Sequence, residues 1–237
     1  MEEIIRFDQQ LLLLLNGSDS VWLDQFFIFV TRTTTWLPLL ALLVYVLFKN
    51  RPWREALLVL VCLGLVILVC DQFASSFCKP FFQRYRPSHE PALSGLVDLV
   101  EGRRGGLYGF ISSHAANTFG VFAYLGLYFR RWLITSALLF WACLSSYSRI
   151  YLGFHYPGDI IVGALFGLLM GYLIYRLLCT TCSRWLQPLR PEWPAGVTIM
   201  GHETKSQGIA RGDAVLFFAA TFATIVLVAL LPALHFI

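Results

Sequence analysis

Six long stretches of this chain carry almost no charge: Thr33–Phe48, Ala56–Phe77, Leu107–Phe129, Trp132–Ser148, Pro157–Cys179 and Ala214–Phe236. A helix crosses about 30 Å of hydrocarbon with about 20 apolar residues, so these runs constrain the fold more than any other feature. The first is short and is read as beginning earlier, near Phe26. The second holds Asp71 and Gln72 toward its end, and the fifth opens on a proline, which the first helical turn tolerates. The chain is 57% hydrophobic and 14% charged, against about 25% charged residues in a soluble domain. The fold class is therefore all-α: an integral membrane helical bundle of about six transmembrane helices. A soluble enzyme is excluded.

The rest of the chain fits one membrane-embedded domain over residues 1–237. Residues 1–32 form an interfacial segment, in which Ile4–Asn16 mixes Arg6, Asp8, Gln9 and Gln10 with leucines and is too short to cross. Residues 33–179 hold the core spans, residues 188–212 a Pro- and Gly-rich connection, and residues 214–236 a final span. The acidic start MEEIIRFDQQ is unlike a cleavable signal peptide. Cys62, Cys70 and Cys78 recur at a spacing that drifts round a helix, which marks them as small apolar filler. Cys179 and Cys182 form a CxxC with no second pair beside it, weak support for a metal. Lys49, Arg51, Arg54, Arg130, Arg131, Arg176, Arg184, Arg190, Lys205 and Arg211 fall on one side of the spans. The other eight basic residues fall opposite, with most of the acids. The positive-inside rule makes the first side cytoplasmic and puts both chain ends outside.

Three polar clusters interrupt this pattern. Lys79, Arg86 and Pro87 follow the second run; Ser112, Ser113 and His114 lie near the start of the third; Ser148, Arg149, His155 and Asp159 bridge the fourth and fifth. An even number of crossings separates them, so all three meet at one face. Lys79, Arg86 and Arg149 are cations with one acid, Asp159, among them, which fits a phosphoryl group. Backbone N–H groups at Ser112 and Ser113, at a helix start, add donors. The bland alternative, arginines snorkelling at span ends, explains one of them but not three converging with two histidines. One histidine can attack phosphorus while the other protonates the departing oxygen. Asp159 stands four residues after His155, placed to hold one imidazole nitrogen protonated. Two histidines and an aspartate could instead hold a metal, but three cations would repel a divalent ion. Asp71 is expected to hydrogen-bond near this face. A transporter, the rival class, would carry charges through the depth of its spans, and only Asp71 qualifies.

At these residues the chain resembles the type 2 phosphatidic acid phosphatase (PAP2) superfamily. The first motif, Lys-x6-Arg-Pro, is KPFFQRYRP from Lys79 to Pro87; the third, Ser-Arg-x5-His-x3-Asp, is SRIYLGFHYPGD from Ser148 to Asp159. The second departs from Pro-Ser-Gly-His: Ile111 and Ser113 replace the proline and glycine beside Ser112 and His114. The resemblance spans roughly residues 6–179. It implies that His155 forms a phosphohistidine, that Asp159 orients it and that His114 is the general acid. Lys79, Arg86, Ser112, Ser113 and Arg149 would hold phosphate oxygens, with no metal or other cofactor. Arg84, Tyr85, Arg103 and Arg104 lie outside the motifs; contact with a second phosphate or headgroup and simple solvation are both open. The implied partners are a lipid phosphate and the bilayer, not nucleic acid. The implied place is a bacterial inner membrane with the site facing outward. Undecaprenyl diphosphate is the preferred substrate. Phosphatidylglycerophosphate, phosphatidic acid and lipid A phosphates are the alternatives, and a non-enzymatic lipid-phosphate binder is the remote one. The resemblance also marks a departure: a span common before the amphipathic segment is missing, and Ala214–Phe236 is expected to take its place beside Thr33–Phe48.

Overall fold

The computed structural model describes residues 2–181 and 211–234. The stretch 188–210, Cys182, Arg184, Arg190, Lys205 and the last residues of the final span lie outside them. The apolar runs become helices: α1 (Glu2–Leu15), α2 (Val21–Thr31), α3 (Leu37–Asn50), α4 (Trp53–Gln72), the short α5 (Lys79–Phe82), α6 (Ser113–Phe129), α7 (Trp132–Tyr151), α8 (Pro157–Thr181) and α9 (Arg211–Leu234). No strand occurs among the described residues; Tyr85 and Tyr108 form an isolated bridge.

Among the described residues, five helical segments are long and apolar enough to cross a membrane: Thr33–Asn50, Trp53–Phe82, Trp132–Tyr151, Pro157–Thr181 and Arg211–Pro232. The second runs 30 residues because a π-helical turn, Phe73–Cys78, joins α4 to α5 without a break. The expected third span is shorter than its apolar run. Residues 107–112 are loop, and the helix begins only where the Ser112 hydroxyl accepts the Ala115 amide at 3.4 Å. α6 is thus 17 residues, about 26 Å long by its rise per residue. The first span does not extend back to Phe26 either: α2 ends at Thr31, and a 3₁₀ turn at Thr33–Trp36 leads into α3. At the far end of the chain, Arg211 and Gly212, read as loop, open α9.

The centre of the bundle is α4, α6 and α8. Val59, Val66, Cys70, Ala116, Leu125 and Ile174 are buried there, and the Tyr124 hydroxyl donates to the Val59 carbonyl at 3.0 Å. Cys62 and Cys70 belong to this core and Cys78 packs with Ala74 and Ile111, as filler should. On α8, Gly163, Gly167 and Gly171 recur every four residues, the small-residue spacing by which membrane helices approach closely. They meet the Ser112, Ala116 and Gly120 backbone of α6, so the two helices touch main chain to main chain.

Helix α9 packs against α2, α3 and α7, beside the Thr33–Asn50 segment as expected. Polar bonds pin both its ends. Asp213 accepts from Lys49 Nζ at 2.7 Å and from Asn50 Nδ2 at 2.9 Å, and the Trp22 indole donates to the Ala229 carbonyl at 3.0 Å. Helix α1 forms where the amphipathic segment was read, but its polar residues do not all face away from the protein. Asp8 is buried with Leu12, whereas Ile4, Phe7 and Leu14 are exposed. The reason lies in what Asp8 meets.

Candidate active site

The three motifs gather at the end of the bundle where α5 stops, α6 begins, and α7 turns into α8. Lys79, carried there by the π-helical turn, donates to Ser75 Oγ at 3.1 Å and to Ser113 Oγ at 3.2 Å. The loop after α5 folds back on the stretch before α6: the Arg86 amide bonds the Leu107 carbonyl at 3.0 Å and the Gly109 amide bonds the Arg84 carbonyl at 2.9 Å. The Arg86 side chain then reaches the Tyr108 carbonyl at 3.2 Å and the Phe154 carbonyl at 3.3 Å. Ser112 is fully buried, and its amide bonds the Asp159 carbonyl at 3.1 Å, which ties the second motif to the third.

His155 lies in the tight turn between α7 and α8, its amide bonded to the Arg149 carbonyl at 3.2 Å. Its Nδ1 faces Asp159 Oδ2 at 3.4 Å, and the Tyr156 amide donates to the same oxygen at 3.2 Å. Nδ1 therefore carries the proton toward Asp159, leaving Nε2 with a lone pair. Burial drives the His155 pKa down to about 4; Asp159 pulls it partway back, and Arg86 lowers it further. The ring is neutral at pH 7, the form that can attack. Gly109 makes room for it: a Cβ there would stand 3.1 Å from Asp159 Oδ2 and 3.5 Å from His155 Nδ1. His114, on the first turn of α6, accepts through Nε2 from the Arg149 guanidinium, whose Nη2 also meets the Thr31 carbonyl at 3.5 Å. The contacts pair Lys79 with Ser113, His114 with Arg149 and His155 with Asp159, and Ser112 with the Asp159 backbone, all at this end of the bundle. Ser148 is spent inside α7, its hydroxyl bonded to the Ser145 carbonyl at 2.6 Å.

Two residues the sequence reading did not choose complete the site. Arg84 donates to Asp159 Oδ1 at 2.8 Å and to Asp8 Oδ2 at 2.7 Å, with its guanidinium 4.1 Å over the Tyr156 ring. Asp8 Oδ1 in turn accepts the Gly158 amide at 2.8 Å, at the start of α8. Asp8 faces inward because its partners are there, so Asp159 is not the site's only acid. Arg84 thus bridges two carboxylates while its side chain stays a quarter exposed. Arg103, by contrast, pairs with Glu101 in an exposed loop, and Arg104 is exposed. Asp71 makes no hydrogen bond or ion pair among the described residues. Arg84→Met should act through Asp159. We expect kcat to fall about 100-fold with KM changed less than threefold, as loosened positioning predicts. Steady-state kinetics showing a rise in KM alone would make Arg84 a substrate contact instead.

Among the described residues, Lys79, Arg86 and Arg149 form no ion pair, and Arg149 Nε is buried without a hydrogen-bond partner. No group of three or more His, Cys, Asp or Glu side chains converges there as metal ligands do. Beside two oriented imidazoles, the arrangement is chemically equipped to receive an anion and transfer it.

The chain is similar to several known proteins. Residues 55–181 match the PAP2 superfamily model. A lipid A 4'-phosphatase of Porphyromonas gingivalis is 39% identical over 197 residues, which is 83% of this chain and 84% of that protein. Another from Bacteroides thetaiotaomicron is 42% identical over 176 residues, 74% of this chain and 78% of that one. The transmembrane PAP2-type phosphatidylglycerolphosphate phosphatase of Bacillus subtilis shares the fold at a TM-score of 0.55 and 23% identity, over 75% of this chain and 87% of that one. Aquifex aeolicus LpxE superposes at 0.52 and 26% identity, over 70% of this chain and 93% of that one. The motifs, the helical bundle that assembles them and these relatives agree: the chain belongs to the PAP2 superfamily and is an integral membrane lipid phosphatase of that family.

Proposed function

We propose that this phosphatase removes a phosphate from lipid A, or from a glycolipid like it, through a phosphohistidine formed on His155. The observation that carries the chemistry is the set of cations without carboxylates. A half-buried charge without an ion-pair partner is costly, so Lys79, Arg86 and Arg149 make sense as a cradle for phosphate oxygens, with Ser113 and the amides at the start of α6 beside them. His155 Nε2 attacks phosphorus as the bond to the lipid oxygen breaks, and Asp159 steadies the Nδ1 proton. The bound phosphate offers Arg149 a better acceptor than the imidazole does, which frees His114 to carry a proton to the departing oxygen. Water then attacks the phosphohistidine, His114 takes up its proton, the P–N bond breaks and inorganic phosphate leaves. The cations neutralise the developing charge without a metal.

The two curated relatives, both lipid A 4'-phosphatases, support the substrate. Neither is named for undecaprenyl diphosphate, which the sequence reading preferred. An outward-facing site is supported by Lys49, Arg51, Arg54, Arg130, Arg131 and Arg176, which lie in loops or helix ends away from the site. The test is phosphate release from lipid A, undecaprenyl diphosphate, phosphatidylglycerophosphate and phosphatidic acid, each with and without EDTA. We expect lipid A to be preferred by at least about tenfold in kcat/KM, and EDTA to change nothing. Preference for the polyprenyl lipid would overturn the substrate; loss in EDTA restored by Mg²⁺ or Zn²⁺ would overturn the metal-free chemistry.

A further inference from the structure

Below His114 a cavity of about 360 Å³ opens between α2, α3, α4, α6, α7 and α9. That volume lies within the range of about 300–1,000 Å³ typical of small-molecule sites. Its α6 wall is His114, Asn117, Thr118, Val121 and Leu125, one helical face descending about 16 Å from the proposed general acid. The wall is mostly aliphatic and aromatic, yet three polar atoms in lining residues are buried with no hydrogen-bond partner among the described residues: Thr31 Oγ1, Asn117 Oδ1 and Trp141 Nε1. Buried polar atoms are nearly always bonded, and one left unpaired calls for a physical reason. Nearby groups show what satisfaction looks like. Trp36 Nε1 donates to the Val30 carbonyl at 2.9 Å, Thr118 Oγ1 to the His114 carbonyl at 2.9 Å, and Thr221 Oγ1 to the Phe217 carbonyl at 2.9 Å.

The positions of the unpaired atoms define a ligand. The Thr31 carbonyl takes a bond from Arg149, so its hydroxyl belongs to the phosphate end. Asn117 stands one turn below His114, and Trp141 stands eight residues back from Arg149 along α7, about 12 Å lower. The departing lipid leaves from the His114 side, where the cavity begins. We propose that this cavity receives an acyl chain of the substrate, attached through a polar linkage, with Thr31, Asn117 and Trp141 bonding the hydroxyl, ester or amide groups that the chain carries in its first ~12 Å. Undecaprenyl diphosphate carries bare hydrocarbon beyond its two phosphates and leaves Asn117 and Trp141 unmet. An acylated glycolipid fills the cavity with apolar chain and answers the polar atoms. Helix α9 contributes Phe217 and Thr221 to the wall, so the final span helps to shape the selectivity. The inference rests on the proposed phosphatase chemistry and adds the residues that choose its substrate.

The variants Thr31→Val, Asn117→Leu and Trp141→Phe remove the polar atoms while keeping bulk. Each purified variant is assayed on three phosphates: lipid A with its amide- and ester-linked chains, undecaprenyl diphosphate, and p-nitrophenyl phosphate, which has no tail. We expect kcat/KM on lipid A to fall about tenfold per variant, with the other two substrates within about threefold of the parent. Thermal midpoints should hold or rise, because deleting an unpaired buried polar group relieves the fold. Equal losses on all three substrates, or none on lipid A, would overturn the inference while leaving the phosphatase reading intact. A parent enzyme inert toward lipid A but active on undecaprenyl diphosphate would instead overturn the substrate reading. Filling the cavity with Ala137→Phe gives a second check: lipid A turnover should drop while p-nitrophenyl phosphate turnover persists. Loss of neither would count against an acyl chain there.

Discussion

His155→Ala should lower phosphate release by about four orders of magnitude or more, the scale expected when a covalent nucleophile is removed. The imidazole is buried, its Nδ1 faces Asp159, and no second group in the network offers an unbonded nucleophilic nitrogen. His114 is not expected to substitute, because in the proposed chemistry its proton goes to the departing oxygen. The same burial sets a pH signature. With its pKa lowered from 6.5 to about 4, His155 in the free enzyme stays unprotonated across the neutral range, so its contribution to kcat/KM fades only as pH approaches 4. For stability the sign follows from proton uptake. The unfolded chain binds this proton below pH 6.5 and the folded chain does not until about pH 4, so this residue destabilises the fold progressively between those values. His155→Ala should therefore flatten part of the acid limb of a thermal-melt series. Near-normal hydrolysis by the variant would remove His155 from the centre of the chemistry.

Gly167→Val should be nearly as damaging, although Gly167 touches no catalytic group. A Cβ at this position would run into the Ala116 carbonyl and stand 2.9 Å from the Gly120 amide. Those are main-chain atoms that cannot swing aside, so α6 and α8 must move apart. α6 carries His114, and α8 carries Asp159 with His155 just before it. A displacement near 1 Å between such groups costs about 100-fold in rate, and overpacking of this kind costs about 1–3 kcal/mol in stability. Activity on lipid A and on p-nitrophenyl phosphate should fall together, with a lower melting midpoint. The contrast is Gly64→Ala on α4, where a new methyl meets no atom within 4 Å. That variant should match the parent within about twofold; if both glycine variants behave alike, close helix approach does not set the site.

These two cases show what could be read from the chain and what could not. Apolar runs declare helices because hydrocarbon demands them, and the spacing of His155 and Asp159 on one helical turn survives into the structure as a contact. Lys79, Arg86, Ser112, Ser113, His114 and Arg149 were found by the parity of crossings, which needs no side-chain detail. Asp8 and Arg84 were missed for a physical reason: their bond joins positions 76 apart in sequence, and neither belongs to a periodic pattern. A clue was present in Asp8, a lone acid among leucines in a helix too short to span. The start of α6 was placed too early because an apolar loop and an apolar helix look alike until a capping serine is recognised. The cavity below His114 had no signal at all, since six separate helices build it.

The unbroken helix from Trp53 through the π-helical turn has a last consequence, one of height. Lys79 stands 26 residues past Trp53, about 39 Å along the axis at 1.5 Å per residue, whereas the hydrocarbon is about 30 Å thick and the whole bilayer about 40–45 Å. With Trp53 and Arg54 at one water boundary, the ammonium arrives at the far stratum of headgroups, level with the phosphates of the surrounding lipids. Substrate molecules therefore meet the enzyme by drifting sideways, with no need to climb out of their leaflet.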